Sequence, residues 1–163
     1  MKTAIVYYSL NGNTALAAER IAGKLGAKLI RIEPEKAYPD KGLKKFFHGG
    51  LSAVKNETPK LKPYSFNADE YERIILASPV WASNIAPPLR SFIEQNRAAL
   101  SGKRLAAFIC LSGSGAQKAM EKLKACLGVD ALDAELALID PKSRANEEND
   151  RLIANFCDAL FGC

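Results

Sequence analysis

The chain has one histidine, one tryptophan, two methionines and four cysteines in 163 residues. The cysteines, Cys110, Cys126, Cys157 and Cys163, show no Cys-x-x-Cys spacing, and His48 is the sole imidazole, so little is left to build a metal site. They read as free thiols of a reducing compartment. No apolar run approaches the ~20 residues of a membrane span. The opening stretch, "MKTAIVYYSLNG", lacks the small-residue cleavage site of a secretory signal, and its apolar run feeds straight into a turn. The expectation is a cytoplasmic protein with no membrane partner. A Gly-x-x-x-x-Gly-Lys-(Ser/Thr) motif is absent, which argues against a P-loop NTPase. Tyr7-Tyr8-Ser9, which closes the first apolar run, offers none of the acids that a phosphate-receiving regulator needs.

What is present is ordinary in amount and uneven in placement. A hydrophobic content of 48% and a charged content of 25% suit a globular protein, and the length predicts one domain over residues 1–163. The net charge is +5, and residues 41–62 carry all of it: Lys41, Lys44, Lys45, Lys55, Lys60 and Lys62 stand there against Glu57 alone. That segment is either a solvated loop or an attractor of an anionic ligand or partner. A nucleic-acid partner is not expected, because the rest of the chain is neutral and has no aromatics interleaved with basic residues outside Phe46-Phe47.

Apolar patterning alternates between two periods. "TAIVYY" is a continuous run of β-formers, as expected of a strand buried on both faces. From Thr14 to Leu25 the residues Leu16, Ala17, Ile21, Ala22 and Leu25 recur at helical spacing, and Gly26 supplies a stop. "AKLIRIE" reads as a second strand. The stretch from Pro34 to Asp69 is too long for a simple connection, with a short helix expected within "LKKFFHGGLSAVKN". "YERIILAS" reads as the third strand. A helix follows in "NIAPPLRSFIEQN", with Asn84 as its cap and Pro87-Pro88 confined to the first turn. "KRLAAFICL", "GAQKAMEKLKACLG", "AELALID" and "NEENDRLIANFCDALF" continue as strand, helix, strand and helix. This order predicts a doubly wound α/β domain, a parallel sheet with helices on both faces. Ligands of such sheets bind beyond the carboxyl ends of the strands. Three loops therefore belong together: "SLNGNT", "SPVWASN" and "LSGSG".

The first loop, Ser9-Leu10-Asn11-Gly12-Asn13-Thr14, enters a helix. Unpaired backbone N–H groups and the positive end of the helix dipole suit a phosphate there. Side-chain donors of Ser9, Asn11, Asn13 and Thr14 add to them, and Gly12 permits a tight turn. The loop has no lysine or arginine, and a dianion held by neutral donors alone fits a long-resident cofactor better than a hydrolysed nucleotide. The second loop, with Pro79, Val80, Trp81, Ala82 and Ser83, places the only tryptophan at the exposed end of a central strand, where it can stack on a flat aromatic ligand. The third loop, Ser112, Gly113, Ser114 and Gly115, lets a ligand approach the backbone closely. It matches Gly-x-Gly-x-x-Gly only in part, since Lys118 takes the third glycine position.

A phosphate nest, an aromatic plate and a close backbone wall are what a flavin mononucleotide (FMN) needs. "SLNGNT" resembles the flavodoxin phosphate loop, (T/S)-x-T-G-x-T, and "SPVWASNIAPPLRSFIEQN" resembles the tryptophan loop and following helix of the flavodoxin-like family. "KGLKKFFHGG" is similar to a basic subgroup of small bacterial members. The resemblance implies a five-stranded parallel sheet of order 2-1-3-4-5. It also implies phosphate contacts from Ser9 to Thr14, and ring contacts from Pro79, Val80, Trp81 and Ala82 and from Ser112 to Gly115. Asn11 replaces the usual threonine. The ring-stacking tyrosine of the third loop is missing, so one flavin face is open or is covered by Phe46 or Phe47. The acidic surface usual in flavodoxins is missing too. The expected function is an FMN-binding redox protein, monomer or homodimer, that passes electrons between redox partner proteins or to small electron acceptors. The alternative is an enzyme, an NAD(P)H-dependent reductase of quinones, with the lysine segment attracting the pyridine nucleotide.

Overall fold

A computed structural model describes residues 1–39 and 49–162. Its sheet follows from where the uninterrupted apolar runs fall. β1 (Thr3–Tyr7) is buried along its whole length. It pairs in parallel with β2 (Lys28–Arg31) on one side and β3 (Arg73–Trp81) on the other. β3 continues in parallel to β5 (Arg104–Leu111), and β5 to β6 (Glu135–Ile139). The order β2-β1-β3-β5-β6 is the expected 2-1-3-4-5 order. The chain reverses its winding direction between β1 and β3, and the loops leaving those two strands diverge there and open a crevice.

Successive side chains of a strand face opposite ways, and both faces of this sheet are apolar. Ala4 and Val6, Ile74 and Leu76, and Leu105, Ala107 and Ile109 share one core with Leu89, Phe92 and Ile93 of α2 (Pro87–Leu100) and Leu123 of α3 (Ala116–Leu127). Ile5 and Tyr7, Ile75 and Ala77, and Ala106 and Phe108 share the other with Ala17, Ala18 and Ile21 of α1 (Asn13–Leu25) and Ile153, Phe156 and Leu160 of α4 (Glu147–Phe161). The helical stripes expected from spacing are present but rotated slightly. Leu16 is only partly buried while Ala18 is fully buried, and Cys126 and Cys157 take inward places beside Leu127 and Leu152.

Two boundaries differ from the sequence reading. The third strand does not stop at Ser78 but runs on to Trp81. A short antiparallel strand, β4 (Asn84–Ile85), then turns back along it, pairing Val80 with Ile85 and Trp81 with Asn84. Asn84 is thus a hairpin residue rather than a helix cap, and Ala86 takes the N-cap place ahead of Pro87. The expected helix within residues 43–56 is present at 49–54. Phe46, Phe47 and His48 lie outside the described residues, as do Lys41, Lys44 and Lys45.

Candidate functional site

At the carboxyl ends of the parallel strands a cleft of about 500 Å³ is open to solvent, within the range of small-molecule sites. Of the residues expected at the site, Ser9, Leu10, Asn11, Asn13 and Thr14 form one wall, Pro79, Val80, Trp81, Ala82 and Ser83 a second, and Ser112, Gly113 and Ser114 a third. Gly12 and Gly115 do not face the cleft. They stand directly before α1 and α3 at φ +90° and +97°, the left-handed region where glycine alone is unstrained. They shape the turns from which the walls rise.

The phosphate loop is organised by its own first residue. The hydroxyl oxygen of Ser9 accepts hydrogen bonds from Gly12 N and Ala15 N, both at 3.2 Å. That satisfies one orphan donor in the first turn of α1. No protein acceptor among the described residues meets the N–H groups of Asn13 and Thr14. Beneath them Thr14 is 1% exposed and its Oγ1 has no hydrogen-bond partner. A buried hydroxyl without a partner costs free energy unless something else completes it. The nearby Cys110 thiol does so weakly at best. Burial pushes that thiol up to about 12, and the Thr14 hydroxyl offsets a little of the rise, but the pair does not reach hydrogen-bond geometry. Cys110 is therefore a neutral lining group and no nucleophile.

The loop's lack of cations is a property of its local sequence only. Arg31 Nη2 reaches Ser9 O at 3.5 Å, with its charge balanced by Glu33 at 2.9 Å. The turn after β6 approaches from the other side. Lys142 N and Ser143 N donate to Asn13 Oδ1 at 2.8 and 3.4 Å, and a Cβ placed on Gly12 would lie 2.8 Å from Lys142 Nζ. The expectation of neutral donors alone is corrected accordingly: the fold supplies charge that the loop itself lacks.

Trp81 is held on edge by Tyr8 and Tyr38, with ring centroids 5.7 and 5.0 Å away and planes at 88° and 72°. Gly49 packs so closely that a Cβ there would sit 3.1 Å from the indole Cε3. Packing therefore accounts for part of the indole surface, which the sequence reading had left unexplained, and the remainder lines the cleft. Burial raises the Tyr8 hydroxyl far above its ordinary value, with Tyr38 and Glu33 adding to the effect and Arg31 opposing it. Burial also raises Tyr38, where the hydrogen bond it shares with Ser52 works the other way. Neither ring is ionised near neutrality.

The second wall is locked in place by polar side chains. Ser78 Oγ donates to Pro79 O and accepts from Ala86 N, each at 2.8 Å. Asn84 Nδ2 donates to Ala53 O at 2.7 Å and Asn56 Oδ1 at 3.1 Å, while Asn84 Oδ1 accepts from Ile85 N at 2.9 Å. Between the paired strands Ala82 and Ser83 form a two-residue turn with φ +49° and +55°. Both are left-handed, as such hairpins require, although neither is glycine.

Gly50, Cys110, Leu111 and Asp140 also line the cleft and were not assigned to it from sequence. Asp140 accepts from Ser112 Oγ at 2.6 Å and pairs with Arg144 at 3.5 Å. Asp140 could have been found by applying the carboxyl-end rule to the fifth strand as well as to the first, third and fourth. Gly50 arrives from the long connection, and no sequence signal marks it.

Comparisons with known proteins agree with this architecture. Among curated proteins none matches the chain by sequence. Solved structures with the same fold include a flavoprotein from Lactobacillus acidophilus in complex with FMN, 21% identical over 93% of this chain and 97% of that one, with a TM-score of 0.71. A protein from Bacteroides eggerthii assigned as a flavoprotein is 23% identical over 98% of each chain, with a TM-score of 0.75. The two-electron-reduced flavodoxin of Megasphaera elsdenii is 16% identical over 99% of each chain, with a TM-score of 0.60. The flavodoxin family model matches residues 2–150, a span that contains every wall of the cleft, and the chain belongs to the flavodoxin family.

Proposed function

We propose that this protein binds FMN in the cleft at the carboxyl ends of its strands and serves as an electron-transfer flavoprotein for redox partners. The observation that carries this reading is the buried, unpartnered hydroxyl of Thr14 below two unengaged N–H groups. A phosphate monoester bears roughly −1.5 to −2 charge near neutrality and has three strong acceptor oxygens. Such a group would meet the Thr14 hydroxyl and the first-turn N–H groups of α1 together. The flavoprotein from Lactobacillus acidophilus in complex with FMN, of the same fold, supports the choice of ligand.

The residues divide the work. The loop from Ser9 to Thr14 would hold the phosphate; the Ser9 oxygen fixes the turn by accepting two N–H groups, which leaves its own hydroxyl proton to be donated to the ligand. Trp81, braced by Tyr8 and Tyr38, would offer its free surface to the ring, and the wall from Ser112 to Ser114, raised on the Gly115 turn, would close on it from the third loop. Bound FMN supplies the redox chemistry itself. The protein holds it, excludes water from one side, and offers backbone donors from the rigid Ala82–Ser83 turn. No side chain is needed as acid or base, which agrees with a cleft whose Cys110 thiol stays protonated.

Among the described residues no helix is long and apolar enough to cross a membrane. Cys110, Cys126 and Cys157 are free and buried, which supports a reducing compartment such as the cytoplasm. Lys62 is engaged with Glu33 at 3.2 Å, a carboxylate it shares with Arg31, and the nicotinamide-nucleotide reading gains no observation of its own. The test is direct. Protein incubated with FMN and then desalted is expected to keep the visible flavin bands and to quench flavin fluorescence. Absence of both refutes the proposal. Oxidation of NAD(P)H by the loaded protein in the presence of a quinone would move it to the reductases.

A further inference from the structure

The turn after β6 was not part of the sequence-based site, yet it brings a cation against the phosphate loop. We infer that Lys142 is a ligand-side cation that selects a phosphorylated flavin over an unphosphorylated one, an inference that rests on the FMN reading above. Three observations converge on it.

The first is position. Lys142 Nζ and Cδ would lie 2.8 and 3.1 Å from a Cβ on Gly12, so the aliphatic stem crosses the loop exactly where the absent side chain leaves room. The backbone of Lys142 is fixed there by the Asn13 carboxamide, which accepts from both Lys142 N and Ser143 N.

The second is charge balance. Arg144, on the same turn, is matched by Asp140 at 3.5 Å, and Arg31, on the far side of the loop, is paired with Glu33 at 2.9 Å, a carboxylate it shares with Lys62 at 3.2 Å. Lys142 forms no ion pair with any of the described residues.

The third is sign. The N-terminus of a helix carries about +0.5 of an elementary charge, and a cation placed beside it is repelled. A lysine held against the start of α1 is unfavourable unless an anion lies between the two. The Thr14 hydroxyl, two residues on from Gly12, is 1% exposed and without a partner, lines the cleft and independently calls for an acceptor beside this loop.

The experiment compares dissociation constants for FMN and riboflavin, read by flavin fluorescence quenching, in the parent, Lys142→Gln, Lys142→Arg and Lys28→Gln. Lys28 is exposed at the amino end of β2, away from the cleft, so its replacement makes the same change in net charge elsewhere. Lys142→Gln is expected to weaken FMN about tenfold and to leave riboflavin unchanged. It should also flatten the loss of FMN affinity that the parent shows as potassium chloride is raised. Lys142→Arg should restore affinity and Lys28→Gln should have none of these effects. Equal FMN affinity and equal salt dependence in the parent and Lys142→Gln overturn the role of Lys142 while leaving the FMN site standing. A parent that binds neither flavin overturns both.

Discussion

Thr14→Val is expected to move the free protein and its FMN complex in opposite directions. The two side chains are nearly the same shape and both are β-branched, so the rotamer cost in α1 is unchanged. What changes is one hydroxyl, buried and without a hydrogen-bond partner. Leaving such a group unsatisfied costs about 1–3 kcal/mol. The Cys110 thiol recovers a part of this and the cleft admits water nearby, so a gain of about 1 kcal/mol on removing the hydroxyl is the appropriate figure. For a domain of this size that is a rise of roughly 2–4 °C in Tm. In the proposed complex the same hydroxyl would donate to a charged phosphate oxygen, a bond of about 1.5–3 kcal/mol. Its loss should weaken FMN by roughly tenfold or more and leave riboflavin almost untouched. Thermal unfolding followed by circular dichroism on the flavin-free protein, with fluorescence titrations of both flavins, reads the two effects separately. A lower Tm for the free variant, or an unchanged FMN dissociation constant, would show that the hydroxyl does not wait for a phosphate.

Three further expectations concern the scaffold around the site. Gly115→Ala forces an L-residue to φ +97° and sets its Cβ 3.2 Å from Ser83 Cα, a backbone atom that cannot swing aside. A loss of about 2–3 kcal/mol should appear in urea titration, together with weaker flavin binding as the second and third walls are pushed apart; unaltered stability would contradict it. Ala82→Gly removes left-handed strain at φ +49°. The relief of about 1–2 kcal/mol outweighs the added chain entropy of about 0.5–1 kcal/mol, so Tm should rise slightly, and a clear fall would refute the strained-turn description. The third concerns pH. In the folded protein the Cys110 thiol is pushed up to about 12 from an ordinary 9.0, so the unfolded chain gives up its proton first. That contribution is intact below about pH 9 and is lost as pH rises towards about 12, by up to about 1.4 kcal/mol per unit. Cys126, Cys157, Tyr7, Tyr8 and Tyr38 are shifted in the same direction. Denaturant midpoints should be level near neutrality and fall on the alkaline side, and Cys110→Ala should shallow that fall; a midpoint that climbs with alkalinity is the contrary result.

The parallel strands were legible because a strand covered on both faces must be apolar throughout, and "TAIVYY" and "KRLAAFICL" are. The helices were legible because their apolar stripes recur with the helical period, although the stripe alone could not say whether Leu16 or Ala18 faces inward. β4 was not legible. Two residues carry no periodicity, and an asparagine before a helix reads equally well as a cap, so Asn84 reveals its role only when Trp81 is seen opposite it. The site was found through three loops because each follows a strand. Asp140 follows a strand too, but a single acid in a polar turn announces nothing until Ser112 is beside it. Lys142 was the least accessible, since its partner Asn13 stands 129 positions away in the chain.

The Asn84 carboxamide joins the hairpin to the middle of the long connection in one knot. Tryptophan and the helical turn bearing Gly49 and Gly50 are thereby coupled, so neither can yield to an incoming ring without dragging the other. Ligand affinity thus becomes adjustable from outside the molecule. A change at exposed Asn56, which never meets the flavin, would reach Trp81 through a single amide and retune how tightly the indole plate is presented.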